Sequence, residues 1–197
     1  MESILTGLGL SGSAGLNTYL PLFVMGAMHR AGLMTLAEPY DTISHPAVMA
    51  VVFILLLIEL TADKIPAVDS LNDTIHTVVR PAVGAFLGAA STSAVQDVDP
   101  VMMTIASLLA GSISAGSIHA IKATVRPGVT VGTAGMGNVL VSTFEDSLSL
   151  VVSVFAVLLP FMVLLFSTSV VAILGWWYWD YRRTRHHFPS PSRRALS

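Results

Sequence analysis

From residue 148 to residue 178 the chain runs through 31 positions without one Asp, Glu, Lys or Arg. Wound as a single helix this stretch is about 46 Å long, at 1.5 Å per residue, against a bilayer hydrocarbon core of about 30 Å. So long an apolar run has one natural solvent, the lipid interior. The rest of the chain agrees: charged residues make up 11% and hydrophobic residues 53% of it, with a mean hydropathy of +0.74. A soluble domain carries about 25% charged residues, so a water-coated globule is excluded, and the high apolar fraction excludes a disordered chain. The net charge of −2 leaves no global basic field to draw in nucleic acid. Cysteine is absent, which removes disulfides and thiolate chemistry. Met1-Glu2-Ser3 lacks the basic start of a signal peptide, so the first apolar stretch is expected to remain in the mature protein.

Windows of roughly 20 apolar residues predict spans at residues 4–28, 46–62, 81–95 and 101–120, with a short amphipathic helix at 67–79 and a glycine-punctuated loop at 126–138. The stretch 148–178 contains Pro160, which removes a backbone donor. It reads either as one long kinked helix or as two spans joined near residues 160–169, the first starting around Ser142. The second alternative makes six spans in one transmembrane domain, residues 1–182, followed by a disordered basic tail, 183–197. Lys64, Arg80, Lys122, Arg126 and the tail arginines then share one side, and Arg30 alone lies on the other. That bias predicts a multi-pass protein of the bacterial inner membrane with both termini cytoplasmic. Trp176, Trp177, Tyr178, Trp179 and Tyr181 read as an interfacial aromatic anchor.

Ser11-Gly-Ser-Ala-Gly15 recurs as Ser112-Ile-Ser-Ala-Gly116. Three spans per repeat would invert one half against the other, a plan used by secondary transporters with sites near the midplane. The expected fold is therefore an all-α integral membrane protein. Its six helices form two inverted three-helix repeats, about 4–97 and 100–181, with glycine-broken helices and the short amphipathic helix. The same small residues also serve close helix packing without any ligand.

Charges inside a span cost about 2.5–3.5 kcal/mol or more, so they pair or line a pathway. Glu59 and Asp63 lie one turn apart, and Asp69, Asp73, His76 and Arg80 share one helical face. These acids suit a cation or a proton relay; alternatively they are interfacial ion pairs. A second group comprises His119, Lys122 and Arg126, then Asn138, Ser142, Glu145 and Asp146. Its cations suit an anionic group or simply orient the span. Adjacent on a helix, Glu145 and Asp146 point about 100° apart, so at most one is expected to face a given site squarely. Ser13 and Asn17 would supply neutral hydrogen bonds. Asp69, Asp73 and His76 are a weak candidate set for a metal. No cofactor is expected.

The run Ser13-Ala-Gly-Leu-Asn-Thr-Tyr-Leu-Pro-Leu22, the element Glu59-Leu-Thr-Ala-Asp-Lys-Ile-Pro-Ala-Val-Asp69, and Asp73-x2-His76-x3-Arg80-Pro81 resemble the bacterial membrane family catalogued as domain of unknown function 4126. Lys122-x3-Arg126 and Asn138-x3-Ser142-x2-Glu145-Asp146 are similar to its second half. The resemblance implies a membrane location and no particular activity. The leading expectation is a small transporter or lipid translocator with a midplane polar site. A non-transporting scaffold or accessory subunit, and a metal-dependent membrane enzyme acting on lipid phosphates, are the alternatives. Expected partners are membrane lipids, a small-molecule, ion or lipid substrate, and a second copy in a homodimer; nucleic acid is not.

Overall fold

A computed structural model describes residues 1–95, 98–133, 135–160, 168–173, 175–176 and 178–179, less the side chains of residues 66, 67 and 69–71. The chain divides into two compact units, Met1–Val163 and Leu164–Ser197. In the second, residues 168–173, 175–176 and 178–179 are helical. Among its described residues the first holds six α-helices: α1 (Glu2–Ala14), α2 (Tyr19–Arg30), α3 (Pro46–Ala62), α4 (Pro66–Thr92), α5 (Pro100–Gly132) and α6 (Met136–Leu158), with a short 3-10 turn at Tyr40–Ser44 before α3. The described residues contain no strand. α5 and α6 are long and apolar enough to cross a membrane, and α3 is a shorter apolar helix.

Local signals explain most of the starts. Pro46, Pro66 and Pro100 each stand in the first turn of a helix, where a missing N–H costs nothing. The Asp99 carboxylate accepts from the N–H groups of Val101 and Met102, capping α5. Gly135, at φ +85°, makes the left-handed step that turns the chain into α6.

Residues 4–28 do not form one span. The helix stops at Ala14 and restarts at Tyr19, and the two pieces run back on each other. Ser13 meets Ser149 and Ser153 of α6, Asn17 meets Asp146, and Leu20 and Val24 pack with Val154. α6 is thus antiparallel to α1 and parallel to α2. Gly7 lies against Gly88 and Ser91, while Ala37, beyond α2, bonds Ser93, and the Tyr40 ring packs at a tilt against Phe86. The start of α1 and the segment after α2 therefore both sit at the C-terminal end of α4. This corrects the expectation that Met1 and Lys64 share a face: the hairpin enters, turns at residues 15–18 and returns.

Other boundaries shift as well. The amphipathic helix 67–79 and the span 81–95 are one helix, α4, continuous through Pro81. The expected loop 126–138 is mostly helix, since α5 continues through Pro127 to Gly132. α6 begins at Met136 rather than near Ser142, and ends at Leu158, so 148–178 is not one unbroken helix. The join between two spans in that stretch falls largely on residues 161–167, outside the described residues.

The inverted halves are also corrected. Ser11–Gly15 ends α1 at a break, whereas Ser112–Gly116 lies inside an uninterrupted α5. Along α4, Gly7 and then Gly15 of α1 pass Gly88 and then Arg80; Ser107 and then His119 of α5 do the same. α1 and α5 thus run in the same sense, where inverted copies would run oppositely.

Small residues let these helices touch backbone to backbone. A Cβ on Gly88 or Gly84 would collide with the backbone of α5 at Ser107 or Gly111, and one on Gly15 would lie 2.6 Å from the Ala115 carbonyl oxygen. Outward, the surface is apolar: Ile113 is 67% and Leu140 75% exposed, with Val51, Ile54 and Ile58 of α3 also exposed. Inward, α5 presents Ser107, Gly111, Ala115, His119, Lys122 and Arg126. The inward stripe of α6 is Asn138, Ser142, Glu145, Ser149 and Ser153. Replacing Gly84 by Val is expected to destabilise the protein by about 1–3 kcal/mol or more through overpacking. Gly128→Ala, where a Cβ meets nothing within 4 Å, should be neutral or slightly stabilising. Thermal unfolding of both variants in detergent checks the contrast.

Candidate functional site: a helix break held by buried charges

The hairpin turn lies inside the protein, so the helix ends it creates need partners that water cannot supply. The ends find them by sign. At the start of α2, the Glu59 carboxylate accepts from the Thr18 N–H at 2.9 and 3.1 Å, from the Thr18 hydroxyl at 2.9 Å and from the Tyr19 N–H at 3.3 Å. The Asn17 side-chain oxygen takes the Leu20 N–H at 3.0 Å. At the end of α1, Arg80 Nη1 donates to the Gly15 carbonyl at 2.9 Å and Lys122 Nζ to the Leu16 carbonyl at 2.9 Å. Ser149 donates to the Ser13 carbonyl. An anion thus holds a helix N-terminus and cations a C-terminus, the favourable sense of both helix dipoles.

The same side chains pair with one another. Arg80 Nη2 lies 3.2 Å from Glu59 Oε1, with both side chains fully buried. Lys122 Nζ lies 3.1 Å from both Asp63 Oδ2 and Glu145 Oε2. Arg126 Nη2 lies 3.4 Å from Asp63 Oδ2 and 3.0 Å from Glu145 Oε2. Asn72 donates to the other Asp63 oxygen at 2.6 Å. Asp146 accepts from Asn17 at 2.9 Å and pairs with Lys64 at 3.5 Å. α1, the turn, α3, α4, α5 and α6 all meet in this one network.

Most of the residues singled out by sequence converge here: Asn17, Glu59, Asp63, His76, Arg80, Lys122, Arg126, Glu145 and Asp146. Ser13 sits one turn above, bonded to Ser153 at 2.8 Å. Asn138 lies below, where its side-chain oxygen accepts from Thr130 at 3.0 Å. Asp73 turns a buried oxygen inward beside the same cluster. The Asp69 side chain lies outside the described residues. Glu145 and Asp146 both take part, on opposite sides: one meets Lys122 and Arg126, the other Asn17 and Lys64. Among the described residues, no group of three His, Asp or Glu side chains is placed to hold a metal ion.

Sequence reasoning passed over Thr18, Asn72 and the role of His119. Arg80 Nη1 lies 2.9 Å from His119 Nδ1. An arginine only donates, so Nδ1 is the acceptor and the ring proton sits on Nε2, 3.3 Å from the Thr77 hydroxyl. The i+4 spacing of His119 from Ala115 and its i−3 relation to Lys122 already placed it on the inward stripe.

Residues 4–180 match the family described as domain of unknown function, DUF4126. The chain belongs to this family. No curated protein and no solved structure matches it. For this DUF4126 protein the chemistry must therefore be read from the site itself.

A buried ion pair costs most when one partner is removed, because the other charge is stranded. Arg80→Met is expected to destabilise the fold by about 3–5 kcal/mol. The double variant Glu59→Gln/Arg80→Met should lose less than the two single losses combined. Chemical or thermal unfolding of the four proteins in detergent measures that difference; strict additivity would mean that the pair does not act as a unit.

Proposed function

We propose that this protein is a small multi-pass transporter or lipid translocator of the bacterial inner membrane, with its site at the break between α1 and α2. The observation that carries this reading is the pair of buried helix ends opposed by Glu59, Arg80 and Lys122. Discontinuous helices whose ends point at a charged midplane site are the recurring way in which transporters bind ions and polar groups within a bilayer. Irregular backbone at membrane depth is tolerated only where protein or a polar cavity covers it. The inward charges and outward aliphatic side chains support the membrane setting.

In this reading α3 to α6 cross the membrane and the α1–α2 hairpin enters and returns. The face carrying Lys64 and the start of α4 is cytoplasmic by the positive-inside rule. Met1 and residues 31–45 are on the other face, with Glu38 and Asp41. Lys122 and Arg126 would meet the anionic part of a substrate, and Glu59, Asp63, Glu145 and Asp146 a cation or proton.

The second reading is a non-transporting scaffold or accessory subunit. It is favoured by how fully Glu59, Asp63, Lys122 and Glu145 are already paired. Purified protein in phosphatidylglycerol-containing liposomes separates the two. Dithionite bleaching of a fluorescent phosphatidylglycerol follows lipid flipping, and an entrapped pH dye and radioactive sodium follow ion flux. The expected result is a protein-dependent rate that Glu59→Gln lowers at least about tenfold, the effect of about 1.4 kcal/mol on a rate-limiting barrier. Wild-type rates equal to those of protein-free liposomes for every probe would favour the scaffold.

A further inference from the structure

The network leaves one ring nitrogen unaccounted for. His76 Nδ1 lies 2.8 Å from the Asn72 carbonyl oxygen. A carbonyl only accepts, so Nδ1 carries a proton. The other nitrogen, Nε2, is buried without a hydrogen-bond partner and lies 3.5 Å from Glu59 Oε1. In the neutral ring that nitrogen is a lone pair aimed at a carboxylate, two acceptors facing each other. The contact becomes attractive when one proton lies between them, on Nε2 or on the carboxyl.

Charged and titratable groups surround the imidazole. Tyr19 of α2 presents its ring to the imidazole at 6.2 Å between centroids. Glu59 faces it from α3, Asp73 and Arg80 flank it on α4, and His119 of α5 stands beyond Arg80. Asp63 and Lys122 complete the shell, already bonded to each other. Arg80 divides its donors among Glu59, Thr18, the Gly15 carbonyl and His119. His119 is an acceptor toward Arg80 and so stays neutral.

The geometry points to a proton-binding site formed by His76 Nε2 and Glu59. The proton is shared between imidazole and carboxylate, and it is the ion that this network takes up and releases. Glu59 also holds the start of α2, so the bound proton and the grip on the hairpin draw on the same carboxylate. Loss of the proton leaves Nε2 and Oε1 repelling, and Glu59 is then held by Arg80, Thr18 and the Tyr19 N–H. This deepens the transport reading by naming its coupling ion, and it rests on that reading for the proton's role.

The test is 15N NMR of the full chain, labelled at histidine and held in lipid nanodiscs, between about pH 5 and 8, the range in which imidazole titrates. The His76 signals are assigned by their loss in His76→Asn, or by elimination through substitution of the other histidines if that variant does not fold. The expected result is an Nδ1 that stays protonated throughout, and an Nε2 that carries a proton at the acid end and releases it reversibly. In Glu59→Gln the protonated fraction at a mid-range pH should fall about tenfold, the effect of removing one nearby carboxylate. An Nε2 bare at every pH, or a titration unchanged by Glu59→Gln, would overturn the site. These signals are read without any flux. Transport with a bare Nε2 removes the proton and keeps the transporter, whereas a titrating Nε2 with no flux does the reverse.

Discussion

The structure depends on satisfying two helix ends away from water. A helix stopped in a low-dielectric interior exposes carbonyls at one end and N–H groups at the other, each costing several kcal/mol if left bare. Here the stop at Ala14 and the restart at Tyr19 are separated by a few residues, so ends of opposite sign lie side by side. Arg80 and Lys122 answer the carbonyls, and Glu59 answers the N–H groups. The turn draws these charges together, and the charges make the turn affordable. Each supplies the other with hydrogen-bond partners that the interior otherwise lacks.

That centre dictates the rest of the packing. The charges come from α3, α4, α5 and α6, so four helices must close around a hairpin of modest girth. α4 and α5 do so through Gly84, Gly88 and Gly111, which remove the side chains that would hold them apart. Serines line the approach: Ser11 donates to the Gly84 carbonyl, and Ser13, Ser149 and Ser153 chain together along α1 and α6. Such bonds are modest individually, about 0.6–2 kcal/mol in lipid. They fix the register of α6 against the hairpin, which places Glu145 toward Lys122 and Asp146 toward Asn17. The large aliphatic side chains are left for the outside.

How far the sequence reveals this differs by residue. The charged positions are legible because charge is rare: against 11% overall, Glu59, Asp63, Lys122 and Arg126 stand out at helical spacing. Their partners are not legible, since pairing across helices depends on register that no local pattern encodes. The hairpin escapes a window-based reading because residues 4–28 have the length and apolarity of one span, and the break is made by Gly15, Asn17 and Thr18, residues that membrane helices tolerate singly. What decides it is Glu59, 41 positions beyond Thr18. Pro81 and Pro127 mislead in the opposite direction. They read as boundaries, yet α4 and α5 run through them, as helices packed among neighbours in lipid often do.

The arrangement also limits how such a protein can move. Lys122 ties the Leu16 carbonyl of the turn, Asp63 at the end of α3 and Glu145 of α6 to α5. Arg80 ties the turn to Glu59 and His119. Sliding the hairpin away from this pair leaves the Gly15 and Leu16 carbonyls and the Thr18 and Tyr19 N–H groups without partners in the interior, a penalty of about 1–3 kcal/mol for each. Thermal motion does not cover that sum on a useful timescale unless a substitute partner arrives as the old one leaves. An oxyanion can replace the Leu16 or Gly15 carbonyl at Lys122 or Arg80, and a proton can replace Arg80 at Glu59. In the transport reading, a site built in this way is closed to unassisted opening and opens only for a ligand that matches its charges. The pairing that stabilises the fold is therefore also the element that would make any movement depend on what binds.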